Sequence, residues 1–318
     1  MSESIKAPPP VVSVSPIVLS APGRGEELKV RVSAPVTGSQ LPIIVFAHGF
    51  GSSMDGYAPL ANFWASHGFV VIQPTFLDSR TLSRNPSASH SEALAAYLED
   101  PRAHLSWRVR VQDMKRILDQ LDLIEDSVPG LQGRLDRSRI AAVGHSFGGH
   151  TTGLLLGARV INADGGLDED LSDSRIKAGV LLSAGGRGGE DLSPFATEHF
   201  PYLNQSYVEM ATPTLVVAGD RDNSQLTVRG PDWFTDPYTL SPGADCLVTL
   251  FGAEHMLGGI SGDRVTETTD ENPARVATVK RLTWAYLRSK LYPEDPAWSA
   301  ACAALTEDPK PLGRIECK

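Results

Sequence analysis

The fold is decided by the stretch RIAAVGHSFGGHTTGLLL at residues 139–156. Its first part is an apolar run that predicts a buried strand, and the part from His150 onward predicts a helix. Between them, the pattern Gly144-x-Ser146-x-Gly148 predicts a sharp turn that projects the serine hydroxyl from the edge of a sheet. Such a five-residue pattern also occurs by chance, but its position between a strand and a helix favours a nucleophile elbow.

Strands alternate with helices along the whole chain. The continuous apolar runs Leu41–Ala47 and 69–73 predict strands buried on both faces, whereas 28–32 alternates apolar and polar residues as an edge strand does. Further strands are predicted at 140–143, Ile176–Leu182, 214–218 and 246–251, and helices at 57–66, 107–124 and 273–292. The alternation predicts an α/β architecture, a mostly parallel, doubly wound sheet with helices on both faces.

The domain organisation is predicted from length and from breaks in this rhythm. A chain of 318 residues suits one large domain, here 26–292, with an extended N-terminal arm at 1–25 and a C-terminal tail at 293–318. The polar, loop-rich segment 78–106 is expected to cross the carboxyl edge of the sheet. Segment 185–210 begins with glycines and contains four aromatic residues, which favours a short cap. A connecting helix with ordinary packing aromatics is the alternative for 185–210.

Composition and charge exclude several classes of protein. The chain is 41% hydrophobic and 21% charged, which is ordinary for a globular protein. A net charge of −9 argues against a nucleic-acid partner, whose phosphates require a basic face. No run of about 18 apolar residues predicts a membrane span. Residues 1–10 lack the basic and apolar regions of a secretory signal, so a cytoplasmic location is expected.

The cysteine count predicts no metal or redox site. The three cysteines, Cys246, Cys302 and Cys317, form no C-x-x-C pair. Cys302 and Cys317 lie close enough along the chain to pair, but free thiols are the simpler interpretation.

The predicted serine needs two partners. A serine alcohol is a poor nucleophile unless an imidazole takes its proton, and the imidazole needs a carboxylate to fix its tautomer. After an elbow, the acid and then the histidine follow the next strands. His255 lies four residues after a predicted strand that ends at Phe251. Asp220 and Asp222 both follow the strand 214–218; the spacing favours Asp222 as the acid, with Asp220 capping the turn.

The negative charge of a tetrahedral intermediate also needs donors. Backbone N–H groups suit this task because they are rigidly aimed. The amide of Phe147, directly after the serine, is one candidate. The second is the amide of Phe50, in the sequence His48-Gly49-Phe50 that follows the strand Leu41–Ala47.

Four aromatic residues near these motifs are candidates for the walls of a substrate pocket: Phe50, Tyr57, Phe76 and Trp233. Plain core packing is the alternative for each of them.

No metal or cofactor is predicted. The glycines at 144–149 lack both G-x-G-x-x-G spacing and a P-loop lysine. An acidic cluster lacks the spacing of an EF-hand and is better interpreted as a solvated loop; its members are Asp164, Asp168, Glu169, Asp170 and Asp173.

Taken together, these motifs resemble the α/β-hydrolase superfamily. Within it the chain is similar to the chlorophyllase, platelet-activating-factor acetylhydrolase and bacterial cutinase or polyesterase group, over roughly residues 25–290. The motifs that carry the resemblance are His48-Gly49-Phe50, GHSFGG at 144–149, Gly219-Asp220-Arg221-Asp222, Ala253-Glu254-His255 and the helix segment WRVRVQD at 107–113. The chain departs from secreted polyesterases in having no evident signal and no cysteine pair beside the histidine.

The resemblance implies a serine hydrolase of carboxylic esters, with Ser146 as nucleophile, His255 as base and Asp222 as orienting acid. A small-molecule ester is the expected partner, and the tail at 293–318 leaves a homodimer open. Two alternatives remain: an acyltransferase or carbon–carbon bond hydrolase that uses the same residues, and a ligand-binding receptor with a nearly idle triad.

Overall fold

The computed structural model describes residues 9–83, 85–262 and 269–318. The strands of this part of the chain are β1 (Val11–Leu19), β2 (Leu28–Pro35), β3 (Leu41–Ala47), β4 (Val70–Pro74), β5 (Leu135–His145), β6 (Arg159–Val160), β7 (Ile176–Leu182), β8 (Gln205–Ser206), β9 (Thr214–Gly219), β10 (Ala244–Leu250) and β11 (Gly313–Cys317). The helices are α1 (Ala58–Ser66), α2 (His90–Glu99), α3 (Ser106–Asp119), α4 (Leu121–Ser127), α5 (Phe147–Leu155), α6 (Pro194–His199), α7 (Asp236–Leu240), α8 (Pro273–Leu291) and α9 (Ala297–Thr306).

Nine strands form one twisted central sheet in the order β1-β2-β4-β3-β5-β7-β9-β10-β11. The six strands from β4 to β10 run parallel to one another, and antiparallel strands lie at both ends. A small second sheet pairs β6 with β8. The predicted mostly parallel α/β architecture is confirmed.

The apolar runs of the central strands feed two cores, one on each face of the sheet. In β3, Ile43 and Val45 join one cluster, whereas Ile44 and Phe46 join the other. Successive side chains of a strand point to opposite faces, so a strand covered on both sides must be apolar throughout. This is why the run Leu41–Ala47 is continuous rather than alternating.

The segments predicted as an extended N-terminal arm and a C-terminal tail each contribute a strand to the central sheet. β1 lies inside the predicted arm and pairs antiparallel with β2, so β2 is the second strand rather than the edge. The predicted tail contains α9 and β11, and β11 pairs antiparallel with β10. Both additions cover strand edges that would otherwise expose unpaired backbone groups. Residues 1–8 of the arm lie outside the described residues.

Cys246 and Cys317 form a disulfide, so the prediction of free thiols is wrong for these two residues. They face each other as partners across β10 and β11, although they are 71 positions apart in the chain. Only the sheet register brings them together, and the sequence alone does not reveal that register. Cys302 is free and half-buried.

Within the described ranges, no helix is both long and apolar enough to cross a bilayer.

The two irregular segments each contain short helices. Segment 78–106 holds a 3-10 turn at Arg80–Leu82, then α2, then a second turn at Ala103–Leu105. Segment 185–210 holds α6, two 3-10 turns and β8.

Candidate active site

Ser146 occupies a sharp turn between β5 and α5. β5 ends at His145 and α5 begins at Phe147, so the serine is the single residue that connects them. Its backbone has φ 55° and ψ −121°, a conformation that residues with a side chain rarely adopt. Such strain persists only where the surroundings enforce it, and it commonly marks functional sites.

The flanking glycines are required by close backbone contacts. A β-carbon on Gly148 would lie 1.9 Å from the carbonyl oxygen of Ala47, and one on Gly144 would lie 2.0 Å from the carbonyl oxygen of Gly148. Both distances are far inside van der Waals contact. The turn can therefore pack against β3 only if these positions lack side chains.

Ser146, His255 and Asp222 lie together at the carboxyl edge of the sheet. His255 Nε2 lies 2.8 Å from Ser146 Oγ, and Nδ1 lies 3.0 and 3.1 Å from the two carboxylate oxygens of Asp222. Because Nδ1 faces a carboxylate it carries the ring proton, which leaves Nε2 to accept the serine O–H. Asp222 is completely buried.

Asp220 is separated from this group. Its Oδ1 accepts a hydrogen bond of 2.6 Å from the backbone N–H of Gly252, so it links the loops that follow β9 and β10. The structure thus places Asp222 beside His255, whereas Asp220 lies in a turn.

The backbone of the His255 loop is fixed from two sides. One carboxylate oxygen of Asp270 accepts from the N–H groups of Glu254 and Gly258, each at 2.9 Å. From below, His145 Nε2 lies 2.8 Å from the carbonyl oxygen of His255. Both sides of the loop therefore restrain the imidazole.

His145 and Tyr57 extend this restraint toward the loop after β3. Because His145 Nε2 donates to a carbonyl, its Nδ1 accepts the O–H of Tyr57 at 2.7 Å, and Tyr57 in turn accepts the N–H of Gly49 at 3.2 Å. Burial, and after it the nearby His255, lowers the pKa of His145 from 6.5 to about 3. His145 is therefore a neutral connector. The sequence does not reveal this connection, because no local pattern pairs residues 57 and 145.

The predicted oxyanion donors lie on the two segments that meet at Ser146. A β-carbon on Gly49 would lie 3.5 Å from Ser146 Cβ, so the 48–51 loop passes directly beside the serine. Phe50 N–H donates to no acceptor within the described ranges. Phe147 is the first residue of α5, and the first turn of a helix leaves its N–H groups without intrahelical acceptors.

A cavity of about 470 Å³ opens over Ser146. Phe50, Tyr57 and Trp233 line it, as predicted for pocket residues. Phe76 does not; it is fully buried in the core, where its ring packs 4.7 Å from that of His48. The prediction for Phe76 is wrong because this residue, two positions after β4, packs its ring against His48 and the guanidinium of Arg110 instead of lining the cavity.

The two irregular segments supply much of the remaining wall, together with residues 223–226, Phe234 and Met256. Segment 78–106 contributes Arg80, His90, Leu94 and Tyr97, and segment 185–210 contributes Gly185, Phe200, Tyr202, Leu203 and Gln205. The lining beside Ser146 is thus mostly aromatic and apolar.

The acidic cluster lies away from this cavity and is held by arginines. Arg108 pairs with both Asp168 and Glu169, and Arg175 pairs with Asp173 at 2.6 Å. Among the described residues, no group of three or more His, Cys, Asp or Glu side chains has the geometry to hold a metal ion.

Comparison with known proteins agrees with this architecture. The chlorophyllase family model matches residues 19–161. The platelet-activating factor acetylhydrolases of Cavia porcellus and Bos taurus are 28% and 27% identical over 202 and 229 residues, which cover 56% and 61% of this chain and 43% and 47% of theirs. Cutinase est2 of Thermobifida alba is 23% identical over 223 residues, 70% of this chain and 55% of the cutinase.

The chain thus spans about half the length of the curated relatives it matches. These relatives are ester hydrolases, and their identity to this chain is low. The chain thus has an α/β-hydrolase-like sheet topology; it is similar at low identity to these acetylhydrolases and this cutinase, and over residues 19–161 to the chlorophyllase family.

Proposed function

We propose that this protein hydrolyses carboxylic esters through an acyl-enzyme on Ser146. One observation carries the proposal: the 2.8 Å contact between Ser146 Oγ and His255 Nε2, with buried Asp222 at the other ring nitrogen. This is the arrangement that turns a serine alcohol into a nucleophile.

The first half of the reaction forms the acyl-enzyme. Ser146 Oγ attacks the ester carbonyl carbon while its proton passes to His255 Nε2. Asp222 stabilises the resulting imidazolium through Nδ1–H. The tetrahedral intermediate then collapses, the bond to the alcohol oxygen breaks, and His255 gives its proton to the departing alcohol.

The second half releases the acid. Water attacks the acyl carbonyl carbon, His255 takes a water proton, and the bond to Ser146 Oγ breaks as that oxygen regains a proton from His255. The products are one carboxylic acid and one alcohol, and the enzyme returns to its starting state.

The amides of Phe50 and Phe147 are the proposed oxyanion donors. Both lie on segments that adjoin Ser146, and the helix that begins at Phe147 adds the positive end of its dipole. Donors fixed by the backbone need no reorganisation as negative charge develops.

A small-molecule ester with apolar or aromatic groups is the proposed substrate. The cavity volume of about 470 Å³ is typical of small-molecule pockets. Phe50, Tyr57 and Trp233 supply rigid apolar surface close to Ser146.

Covalent labelling tests the nucleophile. A fluorophosphonate probe is expected to label wild-type protein on Ser146, and Ser146→Ala should lose both labelling and ester hydrolysis, by about 10⁶-fold in kcat. Ser183 is a matched control, because it lines the same cavity without a bond to His255; Ser183→Ala should still be labelled. Labelling of Ser146→Ala at another serine would overturn the assignment.

A series of p-nitrophenyl esters tests the substrate class. A sharp optimum at the acetate or butyrate ester would indicate a shallow acyl site. Activity on esters of long fatty acids would indicate that the acyl group extends between α2 and segment 185–210. Labelling of Ser146 without turnover of any ester would favour the receptor alternative.

The cytoplasmic location stays a prediction, and the Cys246–Cys317 disulfide counts against it, because disulfides persist mainly in oxidising compartments. Alkylation of the protein at the moment of cell lysis tests this point. A reducing compartment should yield three alkylated cysteines, and an oxidising one only Cys302.

A further inference from the structure

Arg110 and Asp78 form a buried ion pair directly beneath the 48–51 loop. Arg110 Nε donates to Asp78 Oδ1 at 2.8 Å, and its Nη2 donates to Oδ2 at 2.6 Å, so the pair is bidentate. Each side chain is only 1% exposed. Bidentate pairing fixes the plane of the guanidinium as well as its position.

The pair also grips the loop backbone on both sides of Phe50. Arg110 Nη1 donates to the carbonyl oxygen of His48 at 2.8 Å. Asp78 Oδ2 accepts the N–H of Gly51 at 3.2 Å. His48, two residues before Phe50, and Gly51, the residue after it, are thereby held by a single rigid unit, while the Phe50 N–H stays available.

Arg110 contacts the second predicted donor segment as well. Its guanidinium lies over the ring of Phe147, 4.3 Å from the centroid, and equally close to the ring of Phe76 on its other side. Phe147 carries the other predicted oxyanion amide. The same cation therefore touches both segments whose N–H groups must point at one oxygen.

Electrostatics favour the ionised form of the Asp78 carboxyl. Burial is the largest single influence on the Asp78 carboxyl and raises its pKa, but the charge and hydrogen bonds of Arg110, together with His48 and the Gly51 N–H, outweigh it and leave the pKa below its usual value. His48 stays neutral, since burial and then Arg110 lower its pKa to about 3. Its Nδ1–H can therefore donate to the carbonyl oxygen of Gly49, at 2.7 Å.

Stability alone does not account for such a pair. Removing two charges from water is costly, and a buried ion pair can often be replaced by apolar residues without loss of stability. This pair also forms hydrogen bonds with the backbone on either side of Phe50. It can therefore fix the position of the loop, which apolar residues could not do.

We propose that Arg110 and Asp78 are positioning residues that hold the 48–51 loop, and with it the Phe50 amide, in register with the Phe147 amide at Ser146. The inference rests on the proposed ester hydrolase function. A loop free to shift by a fraction of an ångström would weaken the interaction with the transition state more than it would weaken substrate binding.

The molecule supplies a matched control on the same helix. Arg24 pairs with Asp113 of α3 at 2.9 Å, both side chains are completely buried, and Arg24 also donates to backbone carbonyls. Neither residue lines the cavity. The control pair holds other backbone; it is joined by one hydrogen bond, and Asp113 also pairs at 3.1 Å with Arg116, whose side chain is partly exposed.

The experiment compares Arg110→Met/Asp78→Leu with Arg24→Met/Asp113→Leu, so that neither variant keeps an unpaired buried charge. With p-nitrophenyl butyrate, the first variant should lose about 10²-fold in kcat with KM changed less than about threefold. Its affinity for butylboronic acid, which forms a tetrahedral adduct on serine, should fall in parallel. The control should keep wild-type kcat even if its Tm falls.

Wild-type kcat in folded Arg110→Met/Asp78→Leu, or an equal loss in the control, would overturn the positioning role. If that variant does not fold, Arg110→Lys decides: it keeps the charge without the fork, and a kcat loss of about tenfold is expected, whereas unchanged kcat would overturn the proposal. Absence of ester turnover by the wild type would instead refute the underlying hydrolase function.

Discussion

The two sides of the cavity are built differently. The rim consists of Ser146, Asp222, His255 and the 48–51 loop, and each part is fixed by the sheet or by buried hydrogen bonds. The facing wall is α2, whose residues are all at least partly exposed and which packs on the core through half-buried side chains only. The rim fixes reacting atoms, and the wall sets which groups fit.

The wall reaches the rim through a few aromatic contacts. The ring of Tyr97 on α2 lies 5.1 Å from that of Phe50, edge to face. The Tyr97 hydroxyl also lies 3.3 Å from that of Tyr202 in segment 185–210. A change in the wall should therefore alter selectivity, whereas a change in the rim should alter the rate for every substrate.

The largest difference in kcat is expected between variants of two aspartates in the loop that follows β9, Asp222 and Asp220. Asp222→Asn should lower kcat about 10⁴-fold, because the amide cannot stabilise the imidazolium and favours the wrong tautomer of His255. Asp220→Asn should change kcat less than about threefold, since the Asp220 carboxylate accepts from the N–H of Gly252 rather than from His255. Steady-state kinetics of both variants on one ester check this pair, and equal losses would refute the assignment of Asp222.

A second contrast concerns the backbone of the elbow. Gly148→Ala should destabilise the fold by about 3 kcal/mol or more, because the new β-carbon would collide with the carbonyl of Ala47. Gly153→Ala on the same helix meets nothing closer than 3.7 Å and should stabilise by about 0.5–1 kcal/mol. Urea unfolding followed by circular dichroism measures both. A stable, active Gly148→Ala protein would mean that the elbow does not pack against β3.

The rim should also make stability depend on pH. An unfolded histidine gains a proton near pH 6.5, whereas His145 in the folded protein gains one only near pH 3, because burial and then His255 lower its pKa. Unfolding therefore takes up a proton in this window, and the free energy of unfolding falls as the pH drops from about 6.5 toward 3.

His145→Asn should flatten this dependence by up to about 1.4 kcal/mol per pH unit. The check is urea unfolding of both proteins between pH 7 and pH 5. A measurement at pH 8, where the imidazole is neutral in both states, isolates the loss of the bonds to Tyr57 and His255. Parallel stability curves from pH 7 to pH 5 would contradict the buried neutral imidazole.

The sequence predicts the rim of the cavity better than its walls. β3 has the predicted bounds, and Asp222 and His255 lie beside Ser146, because strand runs and the residues that follow them are local features. The catalytic roles of these residues stay predictions. The cavity walls depend on how two irregular segments fold back, and no local pattern encodes that packing.

The missed features all depend on long-range pairing. The disulfide joins residues 71 positions apart, and Phe76 is buried against His48 and Arg110, which are distant from it in the chain. One missed residue did leave a signal: Arg110 lies three positions after Trp107 and four before Met114, on the apolar face of α3. A charge on a buried face needs a partner, but the sequence does not say that the partner is Asp78.

The smallest effects are expected in the wall, where two leucines of α2 separate its roles. Leu94 lines the cavity, whereas Leu98 packs on the core without lining it. Leu94→Ala should raise the ratio of kcat/KM for p-nitrophenyl octanoate over butyrate by about fivefold, because it removes apolar volume where a longer chain would lie. Both variants should lower Tm by similar amounts, but Leu98→Ala should leave that ratio unchanged. An equal change of the ratio in both variants would mean that α2 affects activity through the stability of the fold. The proposal that the α2 wall determines which substrates fit would then be refuted.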